Sequence, residues 1–152
     1  MRLKIIAVGR LKAGPEFELV ETYRKRLRPS PAGLGPLEIA EIDGRKDPDL
    51  ALGVAISTLS KGAYKVALDE AGKGLTTKAL AELLAQWRDR GVPEAAFIIG
   101  GADGLADETR KAADMVLSLG KLTWPHRLAR AMIAEQLYRA ASLLAGHPYH
   151  RE

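Results

Sequence analysis

Ala95-Ala96-Phe97-Ile98-Ile99-Gly100-Gly101-Ala102-Asp103-Gly104-Leu105 lies past the middle of a chain of 152 residues. Five apolar residues run together without polar alternation, the pattern of a short strand covered on both faces of a parallel sheet. Gly100, Gly101 and Gly104 follow at once. Glycines placed there let the backbone approach a ligand closely and expose its amide N–H groups. The spacing is not G-x-G-x-x-G, and no acidic residue is placed to meet a ribose after a first βαβ unit, so a dinucleotide site is not expected. A tight strand-to-helix turn accounts for the same glycines as well as a binding site does.

Outward from this stretch, strand-like and helix-like patterns alternate along the whole chain. Short apolar runs at residues 3–8, 37–42, 64–68, 95–99 and 115–119 read as strands. Helical spacing appears at 15–27, 48–59, 77–90, 105–113 and 126–145. The alternation predicts an α/β fold with one mostly parallel sheet flanked by helices, built as a single domain over residues 1–152. Thr76 is placed to cap the third helix and Gly91 lies just past its end. The last helix carries a wide apolar stripe of Leu128, Met132, Ile133, Leu137, Ala140, Ala141 and Leu144. Part of that stripe is available to a second subunit, although an internal core face explains it too. Residues 28–36, rich in proline and glycine, read as a surface connection.

A chain of this length buries roughly 70% of its unfolded surface, and 47% apolar with 28% charged residues is ordinary for a globular domain. No run of 18 apolar residues suggests a membrane span, and the apolar run after Met1 is too short for a signal peptide. The absence of cysteine excludes disulfides, thiolate catalysis and cysteine metal sites, and fits a cytoplasmic protein. A net charge of +4 tilts toward a polyanionic partner. Arg10, Lys12, Arg24, Lys25, Arg26 and Arg28 are candidates for phosphate contact, or else form a solvated face.

Two further strand ends attract attention, because ligands of parallel sheets sit beyond the carboxyl ends of strands. Leu68-Asp69-Glu70-Ala71-Gly72-Lys73-Gly74 resembles a phosphate loop only in its Gly-Lys-Gly. Gly74 stands where the P-loop needs a hydroxyl, so a nucleotide triphosphatase is rejected and a flexible turn is expected. Leu119-Gly120-Lys121-Leu122-Thr123-Trp124-Pro125-His126 leaves the fifth strand and enters the last helix, with Thr123 a possible cap. His126 then lies at a helix N-terminus, where neutral imidazole is favoured over imidazolium. The chain finishes on His147-Pro148-Tyr149-His150-Arg151-Glu152, holding two of the three histidines and one of the four tyrosines. Tails are usually frayed. One so rich in ring nitrogens, phenol and guanidinium is expected to fold back onto something polar or anionic.

Taken together, Gly100-Gly101 after Phe97-Ile98-Ile99, Leu122-Thr123-x-Pro125-His126 and the terminal hexapeptide resemble the ribosomal RNA large subunit methyltransferase H family. These are small members of the SPOUT superfamily. Leu3-Lys4-x-x-Ala7-Val8-Gly9 and Leu137-Tyr138-Arg139-Ala140 match as well, so the resemblance spans the chain. The family commonly has Gly-Gly-Pro-Glu-Gly where this chain has Gly100-Gly101-Ala102-Asp103-Gly104, which keeps a carboxylate one methylene shorter.

The resemblance implies a C-terminal trefoil knot, a homodimer, S-adenosylmethionine as methyl donor, and methylation at N3 of a pseudouridine in 23S rRNA on the assembled ribosome. It implies a cofactor site at Leu68, Gly100, Gly101, Leu119, Gly120, Lys121, Leu122, Thr123, Trp124 and Pro125. Tyr149, His150 and Arg151 become the catalytic group, and His126, Arg130, His147 and Asp103 contact substrate. No metal is expected, since three histidines without cysteine form no recognisable ligand spacing. Two other readings remain: a non-catalytic ribosome- or RNA-binding module, and a SPOUT enzyme acting on transfer RNA.

Overall fold

In the computed structural model, which describes residues 1–149, five strands lie in a wholly parallel sheet with the order β2-β1-β4-β3-β5. They are β1 (Arg2–Val8), β2 (Leu37–Ile42), β3 (Tyr64–Gly74), β4 (Glu94–Ile99) and β5 (Met115–Ser118). The helices are α1 (Pro15–Arg26), α2 (Pro48–Ser57), α3 (Thr77–Asp89), α4 (Asp107–Ala112) and α5 (His126–Leu144), with a short 3₁₀ turn at Pro31–Gly33. The strand at the centre of the order, β4, carries the apolar run Ala95-Ala96-Phe97-Ile98-Ile99. Every residue of β4 is buried.

Side chains of a strand point alternately to the two faces, and here each face meets its own helical layer. Leu3, Ile5 and Ala7 of β1 join Phe97 and Ile99 of β4 against Leu84 and Trp87 of α3 and Ile133 and Leu137 of α5. Ile6, Val8, Ala96 and Ile98 face the other way, onto Leu52 of α2 and Leu105 ahead of α4. The predicted stripe of α5 therefore divides. Ile133, Leu137, Ala140 and Ala141 are core, whereas Leu128 and Met132 line a second groove described below. The Thr76 hydroxyl accepts the Ala79 N–H at 3.1 Å, the expected cap of α3.

One strand differs from its predicted extent. β3 does not stop at Leu68: residues 69–72 loop out as a bulge and the chain returns to pair again, so that both Leu68 and Lys73 face Leu117 of β5. Gly72 makes the return possible. A Cβ there would come within 2.8 Å of the backbone of Val116 and Leu117, closer than side chains pack. The expected flexible turn is therefore a fixed part of the sheet edge.

Arg130 of α5 is 2% exposed and ties three elements together. Its guanidinium donates to Glu41 at the end of β2 at 2.8 Å and to the carbonyl of Gly9 after β1 at 3.0 Å. Glu41 also accepts the Leu11 N–H at 2.5 Å. A guanidinium this buried was not expected from a position read as a substrate contact; its two terminal nitrogens are directed at protein atoms, while its Nε has no partner among the described residues. Removing one partner of a buried pair strands the other charge, which costs about 3–5 kcal/mol when both are fully enclosed. Glu41 is roughly a third exposed, so the cost here is smaller. Glu41→Ala should lower unfolding stability by about 2 kcal/mol in urea titration, and Arg130→Met by about 1 kcal/mol, because Glu41 can rehydrate.

Candidate functional site

With every strand parallel, the ends of β3, β4 and β5 open on one edge of the sheet, and a cavity of about 1000 Å³ lies there. Three chain segments and Arg110 of α4 line it, the segments being the end of β3 with its bulge, the turn after β4, and the loop that joins β5 to α5.

The turn after β4 is the tightest of the three. A Cβ on Gly100 would lie 2.4 Å from both the carbonyl carbon and oxygen of Gly104 and 2.9 Å from the Leu105 nitrogen, all backbone atoms that cannot give way. Gly101 bridges to Gly104, whose N–H donates to the Gly101 carbonyl at 3.0 Å. A Cβ on Gly101 would press on Val8 at 3.2 Å. These glycines therefore fold the backbone against itself and leave its outer edge as cavity wall. The turn explanation holds, and the turn forms one wall of the cavity.

On the β3 side Asp69 anchors the bulge. It accepts the Ala71 N–H at 2.9 Å and Arg110 of α4 at 2.9 Å, and Arg110 also pairs with Asp107. Burial pushes the Asp69 carboxyl up, but the Ala71 N–H and the Arg110 guanidinium outweigh it and hold the group below its ordinary value. The third wall begins at Gly120, whose φ of 123° falls in the region that favours glycine. The Ser118 hydroxyl stitches this turn, donating to the Gly120 carbonyl at 2.8 Å and accepting its N–H at 3.2 Å. Thr123 does not cap α5, whose N-cap is Pro125 without a side-chain bond. Its hydroxyl instead donates to Glu70 across the cavity at 3.3 Å.

His126, the first residue of α5, lines the cavity half-buried. Burial, then the charges of Arg127 and Arg130, lower its pKa below 6.5 and favour the neutral imidazole.

Of the residues singled out in the sequence, Leu68, Gly100, Gly101, Asp103, Leu119, Gly120, Leu122, Thr123, Trp124, Pro125 and His126 share this cavity. Lys121 is exposed beside it but is not part of its lining. Arg130 is enclosed as described. His147 is exposed, and its ring nitrogen accepts the Tyr149 N–H at 3.2 Å. Tyr149 docks elsewhere. Its ring lies 4.8 Å from that of Tyr138 on α5, and its hydroxyl bonds Glu135 at 3.2 Å and Tyr23 of α1 at 3.3 Å. Arg26 and Arg139 flank the ring at 5.7 and 5.0 Å. Tyr138 is twelve residues beyond His126 in α5, about 18 Å along the helix. His150 and Arg151 lie outside the described residues. Asp69, Glu70 and Arg110 are the charged lining residues that sequence reasoning did not assign to a site. The acidic pair directly after a strand end was a usable signal; Arg110, on a short polar helix, gave none.

A second groove of about 730 Å³ shares Leu117, Leu119 and Gly120 with the first and runs along α1 and α5, past Leu19, Tyr23, Leu128 and Met132. Phe17 and Leu19 stand 41% and 43% exposed on α1. No helix among the described residues is long and apolar enough to cross a membrane, and none of them form a group of three or more His, Asp or Glu placed to hold a metal ion.

A parallel sheet with a glycine-walled cavity at its carboxyl edge agrees with the family comparison. The family described as "Predicted SPOUT methyltransferase" matches residues 1–150, and the chain belongs to it. It is therefore a methyltransferase of the α/β SPOUT class. Full-length similarity extends to proteins named ribosomal RNA large subunit methyltransferase H. That of Rhodopseudomonas palustris is 46% identical, with 99% of both chains covered. Those of Methylobacterium nodulans and Roseobacter denitrificans are each 48% identical, covering 99% of this chain and 98% and 99% of theirs.

Two outcomes follow from the geometry. Gly100→Ala should cost about 1–3 kcal/mol in urea titration, as overpacking does. Gly120→Ala, where a Cβ meets nothing within 4 Å, should cost only the backbone strain of about 1–2 kcal/mol. For His126 the folded pKa is depressed, so its contribution to stability is complete above about 6.5 and is lost as pH falls toward the folded value. Melting temperature should thus drop more steeply from pH 6.5 to 5 in the wild type than in His126→Asn.

Proposed function

We propose that this chain methylates N3 of a pseudouridine in 23S rRNA, using S-adenosylmethionine, on the assembled ribosome and as a cytoplasmic homodimer. The observation that carries this reading is the end-to-end similarity to proteins named for methylating large-subunit ribosomal RNA. Those names favour it over a transfer RNA enzyme and over a non-catalytic binding module.

The cavity suits the donor. Its lining holds Asp69, Glu70 and Asp103 against one guanidinium, Arg110, an acidic balance that complements a sulfonium and an ammonium in a protein of net charge +4. Leu68, Gly100, Gly101 and residues 119–125 would hold the cofactor, with backbone groups on the adenine and the glycines leaving room for it. When bound, S-adenosylmethionine supplies an activated methyl group on sulfur. The protein's tasks are then to align the acceptor nitrogen and to favour its deprotonated form. An imide N3–H titrates roughly two to three units above neutral, so reaching the anion costs about 3–4 kcal/mol. Arg151 suits stabilisation of that anion and His150 can take the proton directly or through water, with Tyr149 anchoring the tail that carries them. His126, His147 and Asp103 are assigned to substrate in the same reading.

Tyr149 docks far along α5 from its own cavity, which supports a tail that completes the site of a second copy. The apolar groove between α1 and α5, with exposed Phe17 and Leu19, is the face we assign to that copy. The trefoil threading implied by the resemblance belongs to the same reading.

Methyl transfer from labelled S-adenosylmethionine to ribosomes, isolated large subunits and naked rRNA, all from cells lacking this protein, tests the proposal. N3-methylpseudouridine should appear on the intact ribosomes; a labelled product confined to another RNA would overturn the substrate. Mixing an Arg151→Ala copy with a Gly100→Ala copy, each inactive alone, should restore transfer if the tail acts on its partner. A tail acting on its own chain predicts no recovery.

A further inference from the structure

The chain has two tryptophans, and they are used in opposite ways. Trp87 is core, 4% exposed and stacked on Tyr64 at 4.0 Å. Trp124 is 39% exposed on the rim of the cavity, in the loop that leads into α5. Single exposed apolar side chains are common on protein surfaces and call for no explanation. Trp124 is not single. Leu122, two residues earlier on the same rim, is 69% exposed, while Thr123 between them is turned onto Glu70. The loop thus fixes its polar side chain across the cavity and leaves two apolar ones open at the mouth.

The local chemistry narrows what such a rim can take. Pro125 and the neutral-leaning His126 follow the indole and add no fixed charge. Lys121 and Arg127, both exposed, lie on either side in sequence and supply cations outside the cavity. A flat π face flanked by cations, beside a cavity whose own lining is acidic, matches a nucleobase carried on a phosphate backbone. The cavity's volume of about 1000 Å³ stands at the upper end of the roughly 300–1,000 Å³ usual for small-molecule sites, which leaves space beyond a cofactor.

We propose that Trp124 is the stacking platform for the acceptor nucleobase, with Leu122 as its apolar edge, while the backbone of the same loop serves the cofactor. This rests on the ribosomal RNA reading above and adds the residue that receives the base. The ring acts by positioning: it takes no proton and makes no bond, and holds the base plane so that the acceptor nitrogen faces the donor. Because stacking tolerates any base, Trp124 contributes affinity and orientation and leaves discrimination to polar groups.

The test uses the full-length protein and ribosomes from cells lacking it. Trp124→Ala should lower kcat/KM for ribosomes about tenfold or more, with S-adenosylmethionine Kd, measured by calorimetry, within about twofold of wild type. Trp124→Phe should recover most of the loss, which a merely structural role would not give once both variants melt like the wild type. Unchanged kcat/KM in Trp124→Ala overturns the proposal. So does an equal loss of cofactor affinity, which reassigns the indole to the donor. Failure of the wild type itself to methylate ribosomes, with cofactor binding intact, strikes the substrate reading instead and is read from the control alone.

Discussion

Gly100 has no space for a side chain, and the candidate site depends on that fact. Its Cα faces the backbone of Gly104 and Leu105 so closely that a Cβ would sit 2.4 Å from a carbonyl. The approach is possible because β4 is enclosed on both faces and ends abruptly, fixing where the turn must start. Glycines also serve two neighbouring strand ends, one by a close approach and the other by its backbone angle. Gly72 brings the β3 bulge against β5, and Gly120 lets the chain reverse before the α5 loop. Each wall of the cavity thus begins at main chain shaped by a glycine. The Gly104 N–H is engaged by Gly101 and the Gly120 N–H by Ser118, and the positions of these turns are set by the buried sheet.

The charge distribution has two tiers. The chain as a whole is basic, at +4, with Arg10, Lys12, Lys25 and Arg28 exposed. The cavity lining is acidic, and its single guanidinium is already engaged by Asp69 and Asp107. An outer surface of one sign attracts a polyanion, and an inner surface of the other admits a cationic small molecule. The two ligands of an RNA methyltransferase need such a separation, since one field cannot favour both in the same place. The Asp69–Arg110 pair also braces the bulge, so the same ion pair sets both a wall and its charge.

Much of the sheet was legible because buried parallel strands are short apolar runs, and all five appear where such runs occur. The turn after β4 was legible from its glycines, as was the cap at Thr76. What escaped has a common cause. The β3 extension past Leu68, the enclosure of Arg130 and the Thr123–Glu70 bond all depend on contacts between residues distant in sequence. Residues 69–74 look polar and flexible in isolation, and only Gly72 against β5 shows why they are held. Arg130 interrupts an otherwise apolar stripe. Its partners Glu41 and Gly9 belong to the opposite end of the chain, and no local pattern connects them.

The terminal residues are the case where sequence and geometry must be combined. By pattern, the tail belongs with the cavity; by position, its Tyr149 is held by Tyr138, Glu135 and Tyr23, beside the second groove. The docking is specific. A phenol with two oxygen partners and two flanking guanidiniums is not a frayed end, and burial together with the neighbouring Tyr23 hydroxyl and Glu135 carboxylate keeps that phenol protonated. The two facts are compatible when the groove receives a second copy, because Leu117, Leu119 and Gly120 line both it and the cavity. A partner seated in the groove would bring its tail toward this cavity, whereas the chain's own Tyr149 is anchored beside Tyr138, about 18 Å along α5 from His126. On that arrangement the site is shared between copies, and the aromatic docking of Tyr149 fixes where each tail departs.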